Sequence, residues 1–221
     1  MAADGAEYQP QKAQKAQKAQ KAQQHVSMRL LIATTNPNKL REIRPLLANR
    51  HIELVTLADI DAIPEPEESA HTFWQNARIK ALAYAKASGL ISVAEDSGLE
   101  IEAMNGEPGV LSARFMGAAT PYPDRFTEIF RRINGHDRSA RFVTALVVAR
   151  GNEILFETET SIDGEIARDA SGAHGFGYDP IFWYPPLQKT IAQLPDPEKA
   201  IVSHRARAFR DLHRWLAARP F

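Results

Sequence analysis

Residues Val93-Ala94-Glu95-Asp96-Ser97-Gly98-Leu99 set two adjacent acids at the end of an apolar run. A carboxylate carried into an interior costs several kcal/mol unless something neutralises it, so the pair asks for a cation. Cysteine is absent and no histidines cluster nearby, which favours an oxygen-liganded ion such as Mg2+ over zinc. Glu65, Glu67 and Glu68, in the acidic stretch from 63 to 69, offer a further ligand. Successive strand residues point to opposite faces, so Glu95 and Asp96 cannot share a direction in a regular strand. A turn at Ser97-Gly98 is expected to swing Asp96 into a cleft at the strand's carboxyl end, where α/β proteins bind ligands. The plain alternative is an exposed acidic turn.

Three further segments carry chemistry-bearing residues. Thr34, Thr35, Asn36, Pro37, Asn38 and Lys39 read as a strand end, a polar turn and a helix start. Such a junction offers free backbone N–H groups and a positive dipole end to an anion, with Lys39 adding a full charge. In Gly175-Phe176-Gly177-Tyr178-Asp179, the glycines allow a tight path that leaves two aromatics and an acid free to meet a nucleobase. Lys199, His204 and Arg205 surround Ser203, a good cap for a final helix. Cations at a helix N-terminus oppose its dipole, so they are either solvated or there for a ligand. Each segment also has an ordinary structural reading: a capped helix, a buried turn, a solvated helix end. Together they make a phosphate cradle, an acid pair for a cation, a base platform and late cationic donors, which describes a nucleoside triphosphate site.

The elements that must position these residues follow from periodicity. Leu30 to Thr34 reads as a buried strand, followed by a helix with Leu40, Ile43 and Leu47 on one face and Pro45 bending or ending it. His51 to Thr56 is a second strand. Thr72 to Gln75 forms a capping box for a helix with Phe73, Ala77, Ala81 and Tyr84 at helical spacing, ended by Gly89. The acid-bearing strand comes next, then a loop and a helix near 124 to 133. Ala140 to Arg150 and Ile154 to Ser161 form a hairpin across Gly151-Asn152. A Pro-rich linker leads to a C-terminal helix from about Ser203 to Ala218. Parallel βα units followed by a hairpin predict an α/β fold with a mixed sheet.

Bulk properties narrow the class. The 221 residues are 44% hydrophobic and 24% charged, in the range of ordinary globular domains. A formal net charge of zero argues against a protein that grips long nucleic acid by counterion release. No apolar run approaches the roughly 20 residues of a membrane helix. Residues 11 to 22 are Gln-Lys-Ala repeats with no large apolar side chain. Residues 1–27 are therefore expected to be a disordered low-complexity tail, an inert extension rather than a basic arm, preceding one domain over 28–221.

The motifs TTNPNK, AEDSGL, PGVLSARFMG, GFGYDPIF and SHRARA, in this order and spacing, resemble the inosine triphosphate pyrophosphatase family. The resemblance spans nearly all of 28 to 218. It implies a long curved mixed sheet with helices forming two lobes around a central cleft. It also implies Mg2+-dependent hydrolysis of ITP, dITP and XTP to the monophosphate and pyrophosphate, in a cytoplasmic homodimer. By the same match, Asp96 is the catalytic acid and, with Glu67, holds the metal, Glu65 and Glu68 being the alternatives. Thr34 to Lys39, Ser97, Phe176 to Asp179, Lys199, His204 and Arg205 would touch substrate, and Arg114 and Asn76 are further candidates. The chain departs from the family where Glu95 replaces the common aspartate. It also departs after the SARFMG motif, where Pro121 and Pro123 enter and the usual asparagine near Arg125 is missing. The rival readings are a non-catalytic nucleotide-binding module and a pyrimidine nucleotide pyrophosphatase of related fold.

Overall fold

The structure, a computed structural model, describes residues 28–48 and 51–219. The expected disorder of the first 27 residues lies outside the described residues.

Among the described residues seven strands form one open mixed sheet in the order β2-β1-β3-β4-β5-β6-β7. Strand β1 (Met28–Ile32) runs parallel to β2 (Ile52–Thr56) and to β3 (Ile91–Ile101). Strands β4 (Ser139–Arg150) and β5 (Glu153–Ile166) continue the sheet antiparallel, as a hairpin longer than the sequence suggested. The short strands β6 (Phe182–Tyr184) and β7 (Lys189–Thr190) complete it.

Among the described residues five α-helices cover the sheet: α1 (Pro37–Leu46), α2 (Phe73–Ser88), α3 (Tyr122–Arg132), α4 (Asp196–Val202) and α5 (His204–Ala217). Asn36 caps α1, and Pro45 stands in its last turn, one residue before the helix stops. Thr72 caps α2 by accepting from the Gln75 N–H, and Gly89 ends it in the left-handed conformation. The supposed linker before the C-terminal helix is instead a series of short strands and 3-10 turns followed by α4.

Three apolar cores follow from this layering. Helices α1 and α5 pack on one face of β1, β3 and β4 through residues such as Ile43, Leu47, Phe209 and Leu212. Helix α2 packs on the opposite face through Phe73, Ala77, Ala81 and Tyr84. The third core lies under α3 at the far ends of β3 to β5, and includes Leu99, Phe126, Ile129, Phe142, Tyr178 and Phe182. The first two cores make one lobe and the third makes the other.

The expected turn at Ser97-Gly98 does not exist. Strand β3 runs through both residues in unbroken register with β4, Ser97 opposite Thr144 and Gly98 opposite Val143. Gly98 is needed for close approach: a Cβ there would lie 2.4 Å from Ser112 Oγ and 2.5 Å from the Gly109 carbonyl oxygen. The cleft reaches the two acids because β1 stops. It pairs with β3 only as far as Val93, so among the described residues the β1-side edge of β3 beyond that point meets no further strand, only an isolated bridge from Glu100 to Pro108.

Candidate active site

Glu95 and Asp96 leave the regular strand on opposite faces, as alternation requires, and both line the cleft. Asp96 points to the α2 side. Asn76 Nδ2 donates to Asp96 Oδ2 at 3.1 Å, and Lys80 Nζ stands 3.4 Å from Oδ1. Lys80 Nζ also meets Glu68 Oε1 at 2.8 Å, so two carboxylates converge on one ammonium. Burial raises the Asp96 pKa; Lys80 opposes that rise, while Glu68 reinforces it. Burial works to lower the Lys80 pKa, but Asp96 and Glu68 outweigh it and raise it.

Glu95 points to the α1 and α5 side and is 4% exposed. Its Oε1 accepts from Arg205 Nε at 2.8 Å and faces Lys39 Nζ at 3.3 Å. Burial alone would raise its pKa, yet Arg205 and Lys39 win and hold it at about 2. Arg205 also reaches Glu42 at 2.7 Å and Ser97 Oγ at 3.0 Å. Glu42 in turn lies 2.7 Å from Lys199 Nζ, which pairs with Asp179. A continuous chain of alternating charge therefore runs from Lys39 through Glu95, Arg205, Glu42 and Lys199 to Asp179, crossing between the lobes.

The polar turn after β1 is already organised. Thr34 Oγ1 accepts from the Asn36 N–H at 3.2 Å, and Asn36 Oδ1 accepts from the N–H groups of Asn38 and Lys39. Thr34, Thr35, Asn36 and Lys39 line the cleft, whereas Pro37 and Asn38 serve the helix start outside it. Burial lowers the Lys39 pKa, and the neighbouring Glu95 opposes that fall.

At the other end, the structure separates the two aromatics of the glycine loop. The Phe176 ring is half-buried and faces Lys199 Nζ at 5.0 Å and the Arg205 guanidinium at 5.4 Å. Tyr178 is not a free platform: its ring is buried in the third core, and its hydroxyl donates to the Ser112 carbonyl at 2.9 Å. Gly177 lines the cleft between them. Asp179 is committed too, accepting from the Phe176 N–H at 2.7 Å beside its Lys199 pair. A Cβ on Gly175 would sit 2.0 Å from the Asp179 carboxylate, which is why that position takes glycine. The His204 ring stacks on Phe142 at 4.7 Å, and its buried Nδ1 has no hydrogen-bond partner. Burial, then Arg205 and Lys199, push its pKa well below the ordinary value, so the imidazole is neutral.

Several sequence expectations shift. Glu67 is exposed and does not line the cleft, whereas Glu65 and Glu68 do, and Glu68 alone of the three shares a cation with Asp96. Asn76 steadies Asp96 and the acidic loop, donating to Asp96 and accepting from the Ala70 N–H. Arg114 binds the Glu68 carbonyl rather than the cleft interior. Lys80 was missed, although it falls on the same helical stripe as Phe73, Ala77 and Ala81. A lysine and an asparagine at buried-face spacing were the signal. Among the described residues no cluster of three or more His, Cys, Asp or Glu side chains is arranged to hold a metal alone. Two carboxylates beside a polar turn at a helix N-terminus nonetheless have the chemistry to share a hard, oxygen-liganded cation.

Known proteins resemble this chain over most of its length. The profile of the Ham1 family matches residues 30–215. A dITP/XTP pyrophosphatase of Thermus thermophilus is 44% identical over 190 residues, 84% of this chain and 90% of the relative. One from Bacillus subtilis is 40% identical, covering 85% of this chain and 96% of the relative. A solved HAM1 protein from Coxiella burnetii superposes with a TM-score of 0.81 at 35% identity, covering 87% of this chain and all of that one. A nucleoside-triphosphatase, also titled dITP/XTP pyrophosphatase, from Mycobacterium abscessus gives 0.68 at 38% identity, covering 84% and 98%.

Proposed function

The chain belongs to the Ham1 family, and on that premise we propose that it hydrolyses ITP, dITP and XTP to the monophosphate and pyrophosphate. The observation that carries this reading is the convergence of Asp96 and Glu68 on Lys80, facing the turn that holds Lys39. A module that only bound nucleotide would need the turn and the aromatic ring but not this converging pair of acids.

Asp96 and Glu68 are the residues that would hold Mg2+, in place of the Asp96 and Glu67 pair. A divalent cation bound there supplies charge neutralisation at the phosphoryl oxygens. Lys39 and Lys80 approach from either face of β3 and stabilise negative charge that builds on the triphosphate as water attacks the α-phosphorus and pyrophosphate departs. Asp96, steadied by Asn76, is the group assigned to holding the cation and orienting that water. Asp96→Asn is expected to abolish turnover while leaving nucleotide affinity within about tenfold.

Base selection belongs at the far end. A 6-oxo purine presents an acceptor at O6 and a donor at N1, the reverse of adenine. Arg205 and Asp179 are spent within the charge chain, so the open contacts are the neutral His204, the Phe176 ring and the backbone of the glycine loop. A buried donor left unpaired by the wrong base is a strong basis for rejection. The cytoplasmic homodimer implied by family resemblance is part of the same proposal.

The test is to incubate the protein with Mg2+ and ITP, dITP, XTP, dTTP or ATP, and to assay pyrophosphate against orthophosphate. Pyrophosphate from ITP, dITP and XTP is expected. Orthophosphate, no turnover, or a preference for dTTP would overturn the proposal.

A further inference from the structure

Arg125 is among the most deeply buried large side chains of the protein, at 2% exposure. Among the described residues no carboxylate pairs with it. Its partners are five backbone carbonyls. Nε donates to Thr120 at 3.0 Å, Nη1 to Ser112 and Ala113 at 3.0 Å each, and Nη2 to Gly117 at 3.1 Å and Ala118 at 3.5 Å. A buried cation without an acid is costly, and a planar five-donor fork matched to five carbonyls is the way to hold one.

Those carbonyls belong to the segment from 112 to 120, whose first two residues, Ser112 and Ala113, form part of one wall of the cleft. Ser112 ties that wall to β3, its Oγ accepting from the Leu99 N–H at 2.9 Å. The guanidinium also lies 4.7 Å over the Tyr122 ring. Tyr122 meets Tyr178 edge-on at 5.2 Å, and Tyr178 binds the same Ser112 carbonyl that Arg125 does. Arg125 thus links the wall at Ser112 and Ala113, the ring of Tyr122 and the glycine loop that carries Phe176. It touches none of the charged residues at the phosphate end.

Resting on the functional reading above, we propose that Arg125 is a positioning residue for the base end of the cleft. By clamping residues 112–120 to α3 it fixes the distance between that wall and the Phe176 platform, and so the fit of the purine ring.

The experiment compares wild type with Arg125→Met and Arg125→Lys. It measures kcat and KM for ITP, the ratio of ITP to GTP hydrolysis, and inhibition by inorganic tripolyphosphate, which reports the phosphate end alone. For Arg125→Met, KM for ITP should rise about tenfold, kcat should stay within about threefold, and the ITP-to-GTP ratio should fall. The tripolyphosphate inhibition constant should stay within about twofold. Lysine keeps the charge but not the fork, so Arg125→Lys should move the same quantities part of the way. An unchanged KM, or equal losses at both ends of the substrate, would overturn the inference. Should Arg125→Met fail to fold, Arg125→Lys decides by the same criteria. A wild type that releases no pyrophosphate sinks the functional reading instead, and is seen before any variant is compared.

Discussion

Replacing Glu95 by glutamine removes a buried negative charge that sits between Lys39 at 3.3 Å and Arg205 at 2.8 Å. The folded protein holds this carboxyl at about 2, against an ordinary 4.5. At ~1.4 kcal/mol per tenfold change, that difference is worth about 3 kcal/mol of folding stability at neutral pH. Losing one member of a buried ion pair costs a similar amount. The folded pKa is depressed, so the contribution is complete above 4.5 and disappears as pH falls from there toward about 2. Urea unfolding of wild type and Glu95→Gln should therefore differ by about 3 kcal/mol at pH 7 and by roughly two-thirds of that at pH 3.5. A difference below about 1 kcal/mol at pH 7, or one that does not shrink on acidification, would refute the assignment of Glu95 as the anion of this network.

Glu68→Gln should raise the Mg2+ concentration needed for half-maximal activity at least about tenfold, and Glu67→Gln should have a much smaller effect; the reverse order would return the metal to Glu67. Gly98→Ala should destabilise the fold by about 3 kcal/mol, because its methyl group would meet the Gly109 carbonyl at 2.5 Å as well as Ser112 Oγ at 2.4 Å, and the backbone contact cannot be relieved by a rotamer change. A thermal midpoint within a degree or two of wild type would contradict that close approach. His204 should remain neutral well below pH 6.5 when followed by NMR of its ring nitrogens. The unfolded chain takes up the proton that folded His204 refuses, so this group costs stability as pH falls below 6.5, and a resonance titrating near 6.5 would contradict its burial.

Much of the site was legible because local chemistry fixes it. Asn36 before Pro37, and Thr72 three residues before Gln75, specify helix starts in a few residues, and the structure uses both as caps. Alternation along an apolar strand set Glu95 and Asp96 on opposite faces before any tertiary contact was known. What escaped depends on contacts distant in sequence. Ser97-Gly98 carries turn-forming residue types, yet Gly98 answers to the approach of Ser112 and Gly109. Lys80 carries no apolar signal of its own, yet a buried helical stripe admits a lysine when Asp96 and Glu68 await it. Tyr178 and Phe176 have equal claims as platforms in sequence. Only the third core, which absorbs the first and leaves the second at the cleft, separates them.

The alternating charges of the cleft have a consequence for how an anion enters it. Lys39, Lys80, Lys199 and Arg205 stand in contact with Glu42, Glu68, Glu95, Asp96 and Asp179, so no surplus of positive charge waits for a triphosphate. On the proposed function, a nucleotide would gain little from long-range attraction here and would enter most readily as a counterion complex, with its own charge already reduced. Cation and nucleotide would then be thermodynamically linked: each would tighten the binding of the other by the same factor. Titrating one in the presence and absence of the other would measure that factor in both directions.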